Sequence, residues 1–181
     1  MLHQLRRRRP PSGPVDLLTE CHERIRYFLN LAMKIADAED APPADIQQGA
    51  YQVRRYIVEA LPLHVADEED LIAPLLRGCD ETVEVALSRM VKEHRSQEEY
   101  LGQLQHICDV LEASPQRLPE LRIKLRAVSA TLSNDVYSHL ADEERIIFPA
   151  MLRYLAAHQL DSILAAMRER RVQHFEREKH V

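Results

Sequence analysis

The chain is short of glycine, with four in 181 residues, and it has no tryptophan; Phe and Tyr alone make up its 5% aromatic content. Sheet proteins lean on β-branched and aromatic strands joined by glycine-rich turns, so these shortages argue against one. Leu, Ala, Glu and Arg abound instead, and all are good helix formers. Long apolar runs are missing too. No window approaches the ~20 apolar residues that cross a bilayer, and the charged start has no apolar stretch behind it of the kind a secretory signal needs. Cysteine is scarce and odd in number. Cys21, Cys79 and Cys108 lack CxxC spacing, which predicts space-filling thiols in a reducing, cytoplasmic compartment. Positive charge is also in deficit: 24 Lys and Arg stand against 29 Asp and Glu, and without the run Arg6–Arg9 the balance is 20 minus 29, or −9. So acidic a body does not suit nucleic acid, where affinity rests on neutralising phosphates, and no membrane partner is expected.

Proline is present in quantity and divides the chain. Pro42 and Pro43, Pro74 with Gly78, and Pro115 with Pro119 separate helical stretches read at about 15–38, 44–76, 80–113 and 118–155, with an Arg-rich amphipathic piece at about 160–177. At ~1.5 Å per residue these are rods of roughly 30 Å or more on short connections. They predict an all-α fold, an antiparallel up-down-up-down four-helix bundle with an additional C-terminal helix. The expected units are a flexible basic lead over 1–14, the bundle over 15–157 and the last helix over 158–181. Pro62 falls inside the second stretch and predicts a kink or a split near residue 61. Asp16, Asp45, Asp80 and Ser114 are the expected caps near helix starts.

Histidine is in excess, with nine residues. Four of them sit on apolar stripes, one per helix. The first stripe runs Leu18, His22, Ile25, Leu29, Ala32, Ala36; the second Ile57, Leu61, His64, Glu68, Leu71 or Ile72, Leu75. The third runs Val83, Leu87, Met90 or Val91, His94, Glu98, Leu101, Leu104, Cys108; the fourth Leu125, Val128, Leu132, Val136, His139, Glu143, Ile147. His3, His106, His158, His174 and His180 lie off these faces. Burying Glu68 and Glu143 unpaired costs several kcal/mol each, against a net stability of about 5–15 kcal/mol. The stripes carry no Lys or Arg, so a bound cation is the economical partner.

The sequence also repeats itself. His64-Val-Ala-Asp-Glu-Glu-Asp-Leu-Ile-Ala-Pro74 returns as His139-Leu-Ala-Asp-Glu-Glu-Arg-Ile-Ile-Phe-Pro149, and a histidine precedes each motif by 42 and 45 residues. Two copies of a helical hairpin related by an approximate two-fold bring both His-x-x-x-Glu motifs to one point. Residues i and i+4 share a helix face, so an imidazole can hold one metal while the carboxylate one turn on bridges to a second. Such a mixed N/O set suits iron or manganese, and zinc is compatible. Glu23, Glu69 and Glu144 turn about 100° off the stripe and are expected to face solvent or pair with cations. Asp67 and Asp142 are candidate acceptors that orient neighbouring groups, and Tyr27, Tyr100 and Tyr137 candidate neighbours of the site.

On these residues the chain resembles the hemerythrin-like, or HHE cation-binding, family over about 15–155. The resemblance implies a four-helix bundle with a non-haem di-iron centre, two oxo- or hydroxo-bridged irons. It implies His22, His64, Glu68, His94, His139 and Glu143 as ligands, and O2 or NO as the small molecule bound. Two positions depart from the oxygen-carrying members: Glu98 stands where their third helix has a second histidine, and Glu143 or Glu144 replaces an Asp. Glu98 is then a third carboxylate at the metal, a hydrogen-bond partner of a ligand, or a residue turned to solvent. The implied roles are gas binding, sensing, handling of iron, or defence against oxidative and nitrosative stress, with a redox partner or a homodimer. Whether the chain is an enzyme stays open. The competing reading is a non-catalytic bundle with a structural metal, an interaction module whose tail from Arg168 to Lys179 docks onto a partner.

Overall fold

The computed structural model describes residues 11–178; the lead with Arg6–Arg9 and His3, and the last residues with His180, lie outside them. Among the described residues the chain is helical and has no strand. We number five rods: α1 Pro14–Asp37, α2 over 43–76, α3 Glu81–Ala113, α4 over 118–154 and α5 Ala157–Glu178. They match the expected stretches to within a few residues. At ~1.5 Å per residue, the first four are too long to run parallel across links of a few residues, so neighbours are antiparallel. α1 packs on α2 and α4, and α3 on α2 and α4, which closes the ring of four. Among the described residues no helix is long and apolar enough to cross a membrane.

Of the four expected caps, one is found and three are corrected. Asp80 caps α3, accepting from Thr82 N–H at 2.8 Å and Val83 N–H at 3.4 Å. Asp16 and Asp45 instead lie in first turns opened by Pro14 and Pro43, where their charge favours the helix dipole. Ser114 ends α3 rather than capping α4. Gly78, at φ 74°, makes the left-handed turn between α2 and α3 that other residues adopt at a cost.

Pro62 does not split α2. The rod runs on through a π turn, Tyr56–Ala60, and Pro62 is the second residue of the α segment that follows, Leu61–Ala66. The same device recurs at Pro74 after the π turn Asp67–Ile72, and at Pro149 after Glu143–Ile147. Proline lacks an N–H and its ring collides with the carbonyl four residues back; a widened turn moves that carbonyl aside. The extra residue also shifts the register, so beyond Glu68 the buried positions are Ile72, Ala73 and Leu76, while Leu75 is exposed.

The apolar core falls into two blocks. One holds Ile25, Leu29, Leu104, Leu125 and Leu132; the other holds Leu18, Leu76, Leu87, Met151 and, from α5, Ile163, Leu164 and Met167. α5 thus folds back over the bundle. Its Arg170 and Arg171 bond the two oxygens of fully buried Asp67 at 3.0 and 2.7 Å, and Arg168 donates to the Pro11 carbonyl. Between the blocks lies a layer of buried histidines and carboxylates.

Candidate metal centre

The layer is built from the middle of four rods. His22 comes from α1, His64 and Glu68 from α2, His94 from α3, His139 and Glu143 from α4, and every one of these side chains is buried. Their donor atoms form two groups, His22, His64, Glu68, Glu143 and Glu68, His94, His139, Glu143, within each of which the atoms lie within 4.8 Å of one another. Both carboxylates belong to both groups. Glu143 sets one oxygen 3.2 Å from His22 Nε2 and the other 3.0 Å from His139 Nε2. Glu68 sets one oxygen 3.4 Å from His64 Nε2 and the other 3.5 Å from His94 Nε2. His94 and His139 face each other through Nε2 atoms 3.1 Å apart. The π turns Asp67–Ile72 and Glu143–Ile147 begin just before Glu68 and at Glu143, so the motif repeated in the sequence is repeated in backbone form.

Carboxylates outside the layer orient three of the imidazoles. His22 Nδ1 lies 2.8 Å from Glu144, which Arg26 also bonds at 2.9 Å; His94 Nδ1 lies 2.7 Å from Glu69; and His139 Nδ1 lies 2.8 Å from Glu93. An acceptor at Nδ1 favours the tautomer with the proton there and leaves the Nε2 lone pair facing inward. Glu69 and Glu144 were expected at solvent or in ion pairs. Glu144 does pair with Arg26, and the 100° turn from the bridging carboxylate also aims both at a histidine of the next helix in the ring, across to the other hairpin. Glu93 escaped notice because it sits off the α3 stripe. In the first hairpin the position corresponding to Glu93 is Cys21, and among the described residues no hydrogen bond holds either nitrogen of His64.

Other sequence candidates lie elsewhere. Glu98 is exposed and belongs to neither group; the buried residue of that turn is Gln97. On α3, Gln97 lies about 60° to one side of His94 and Glu98 about 40° to the other, and the buried Leu104 and Leu111 continue on Gln97's side. Asp67 serves α5, and Asp142 pairs with Arg89 and Arg145. Tyr27 is exposed, while Tyr100 and Tyr137 pack at the edge of the core. His106 and His158 are exposed.

The electrostatics describe a cluster that holds protons where cations fit. Burial alone lowers the pKa of His22, but the carboxylates of Glu143 and Glu68 beside it outweigh burial and raise it to about 9. His139 likewise rises to about 9, against burial, through Glu143 and Glu93. His64 moves the other way, because burial dominates there. Glu68 falls well below the usual carboxylate range, burial being outweighed by the imidazoles of His64, His22 and His94 around it. The raised pKa values of His22, His94 and His139 favour protonated imidazoles in the metal-free protein, and metal uptake must expel those protons.

A pH dependence follows. His22 and His139 have raised pKa values, so their contribution to the metal-free fold is full below their ordinary 6.5 and is lost as pH rises towards about 9. Glu68, with a lowered value, contributes above its ordinary 4.5 and loses that as pH falls. Chelator-treated protein is therefore expected to melt at a lower temperature at pH 9 than at pH 6. Metal-loaded protein should show a much smaller drop, and equal drops in thermal melts of both forms would contradict the assignment.

The Hemerythrin HHE cation binding domain model matches residues 13–150, which contain all six central donors, and matches again over 85–179. The second span starts inside α3, as a repeated hairpin allows. No curated protein and no solved structure matches the chain.

Proposed function

The chain belongs to the hemerythrin HHE cation-binding family, and on that premise we propose that it is a di-iron protein whose centre binds a small diatomic molecule, O2 or NO, or handles iron itself. His22 and His64 would hold one ion, His94 and His139 the other, with Glu68 and Glu143 shared. The observation that carries this reading is a set of buried atoms that converge on one another without forming a well-aligned hydrogen bond: both oxygens of Glu68, both of Glu143, and Nε2 of His22 and His64. Stranding that many polar atoms in a core costs several kcal/mol each, and they converge on two points. The nitrogen and carboxylate donors suit iron, with manganese and zinc as the other cations such a set accepts. Bound there, an iron pair supplies one-electron redox chemistry and open coordination positions.

The chain's own residues do the rest. Glu144, Glu69 and Glu93 fix ring orientation, and the apolar blocks above and below keep bulk water from the centre. Free thiols at Cys21, Cys79 and Cys108 suit a reducing cytoplasm, where a redox partner would return electrons and where sensing or defence against oxidative and nitrosative stress would operate. Anaerobic reduction followed by titration with O2 and then NO tests the reading. Saturable spectral changes are expected with each gas. A spectrum inert to both would leave only a structural metal.

A further inference from the structure

Beside the centre lies a cavity of about 50 Å3, walled on one side by His64, His94 and His139. It takes about one or two water-sized molecules, since a water occupies ~30 Å3 of liquid. Most of the remaining wall is apolar, with Ile57, Leu101 and Val136 among it, and such a wall favours a weakly polar gas over water. Gln97 interrupts it. Its side chain is only 7% exposed, it lines the cavity, and its amide has no hydrogen-bond partner among the described residues. Facing the cavity with no bond to another described residue, the amide is placed to bond a molecule inside it.

The cavity is not symmetric. His22 does not line it, and the His22 ring lies against Phe148, centroids 5.0 Å apart. Both His94 and His139 do line it, and the residue related to Gln97 in the first hairpin, Ile25, offers only hydrocarbon. The polar end is therefore the His94 and His139 end. We propose that Gln97 is the hydrogen-bond donor that orients a small diatomic ligand in this cavity, at the side of the centre held by His94 and His139. The inference rests on the gas-binding reading above and adds a specificity-determining residue to it.

The test uses iron-loaded, anaerobically reduced protein with nitric oxide as probe, comparing wild type with Gln97→Leu and Gln97→Met. Methionine keeps the length of the side chain and removes the donor, so it serves if the leucine variant folds poorly. Loss of one hydrogen bond of about 1.4 kcal/mol corresponds to about tenfold. Both variants should keep wild-type iron content, release nitric oxide about tenfold faster, and shift the infrared stretch of the bound gas. Wild-type release rates with iron intact would overturn the proposal. So would a loss of iron that parallels the faster release, which is the mark of a structural role. A wild-type protein that takes up iron but no nitric oxide would remove the gas-binding reading itself, and this inference with it.

Discussion

Glu143→Ala is expected to reduce the metal content from two ions per chain to one or none. Glu143 is one of two carboxylates that touch both donor groups, with one oxygen 3.2 Å from His22 and the other 3.0 Å from His139. Its removal leaves each group with three donors and leaves Glu68 as the only shared negative charge between two divalent ions. Repulsion between ions bridged by a single carboxylate, in a site that excludes water, is what the second carboxylate offsets. His64→Ala should also lower the content, because it removes one of the two imidazoles of its group. His106→Ala and His158→Ala alter exposed histidines and should leave two ions bound. Elemental analysis of the purified variants checks this, and equal losses in both sets would discredit the ligand assignment.

The second large effect concerns the clamp between α2 and α5. Asp67 is fully buried and accepts from Arg170 at 3.0 Å and from Arg171 at 2.7 Å, while Arg171 also donates to the Met167 carbonyl and to Cys21 Sγ. Burial raises the Asp67 pKa even with both guanidiniums beside it, so the pair is a desolvated one whose attraction mainly offsets its own burial. Removing one partner of such a pair costs about 3–5 kcal/mol when both are fully buried. The two arginines keep some exposure, 26% and 19%, which brings Asp67→Ala to about 2–3 kcal/mol. For a chain of this size that is a fall in Tm of roughly 5–10 °C. Hydrogen exchange should rise first in α5, whose docking the clamp secures. A Tm within a degree of wild type would show that the pair contributes nothing.

The sequence made the four rods and the central histidines legible for one reason: apolar spacing of three and four residues marks a buried stripe wherever the helix is regular. The repeated motif then tied His64 and Glu68 to His139 and Glu143. What stayed hidden was of two kinds. Departures from regularity were one. The π turn before Pro74 adds a residue that moves the buried face from Leu75 to Leu76; on α3, a regular helix, the seam instead runs on the Gln97 side of His94 and leaves Glu98 exposed. Contacts between rods were the other. The bonds of Glu144 to His22, Glu69 to His94 and Arg171 to Asp67 join residues on different helices, 122, 25 and 104 positions apart. No periodicity within a single helix encodes such pairs.

The central claim is that these six residues hold a pair of irons, and the iron-to-protein ratio with the near-ultraviolet spectrum of protein purified from aerobic, iron-supplied cells tests it most directly. About two irons per chain with oxo-bridged ferric absorption is the result the account predicts. One tightly held zinc and no iron would contradict it.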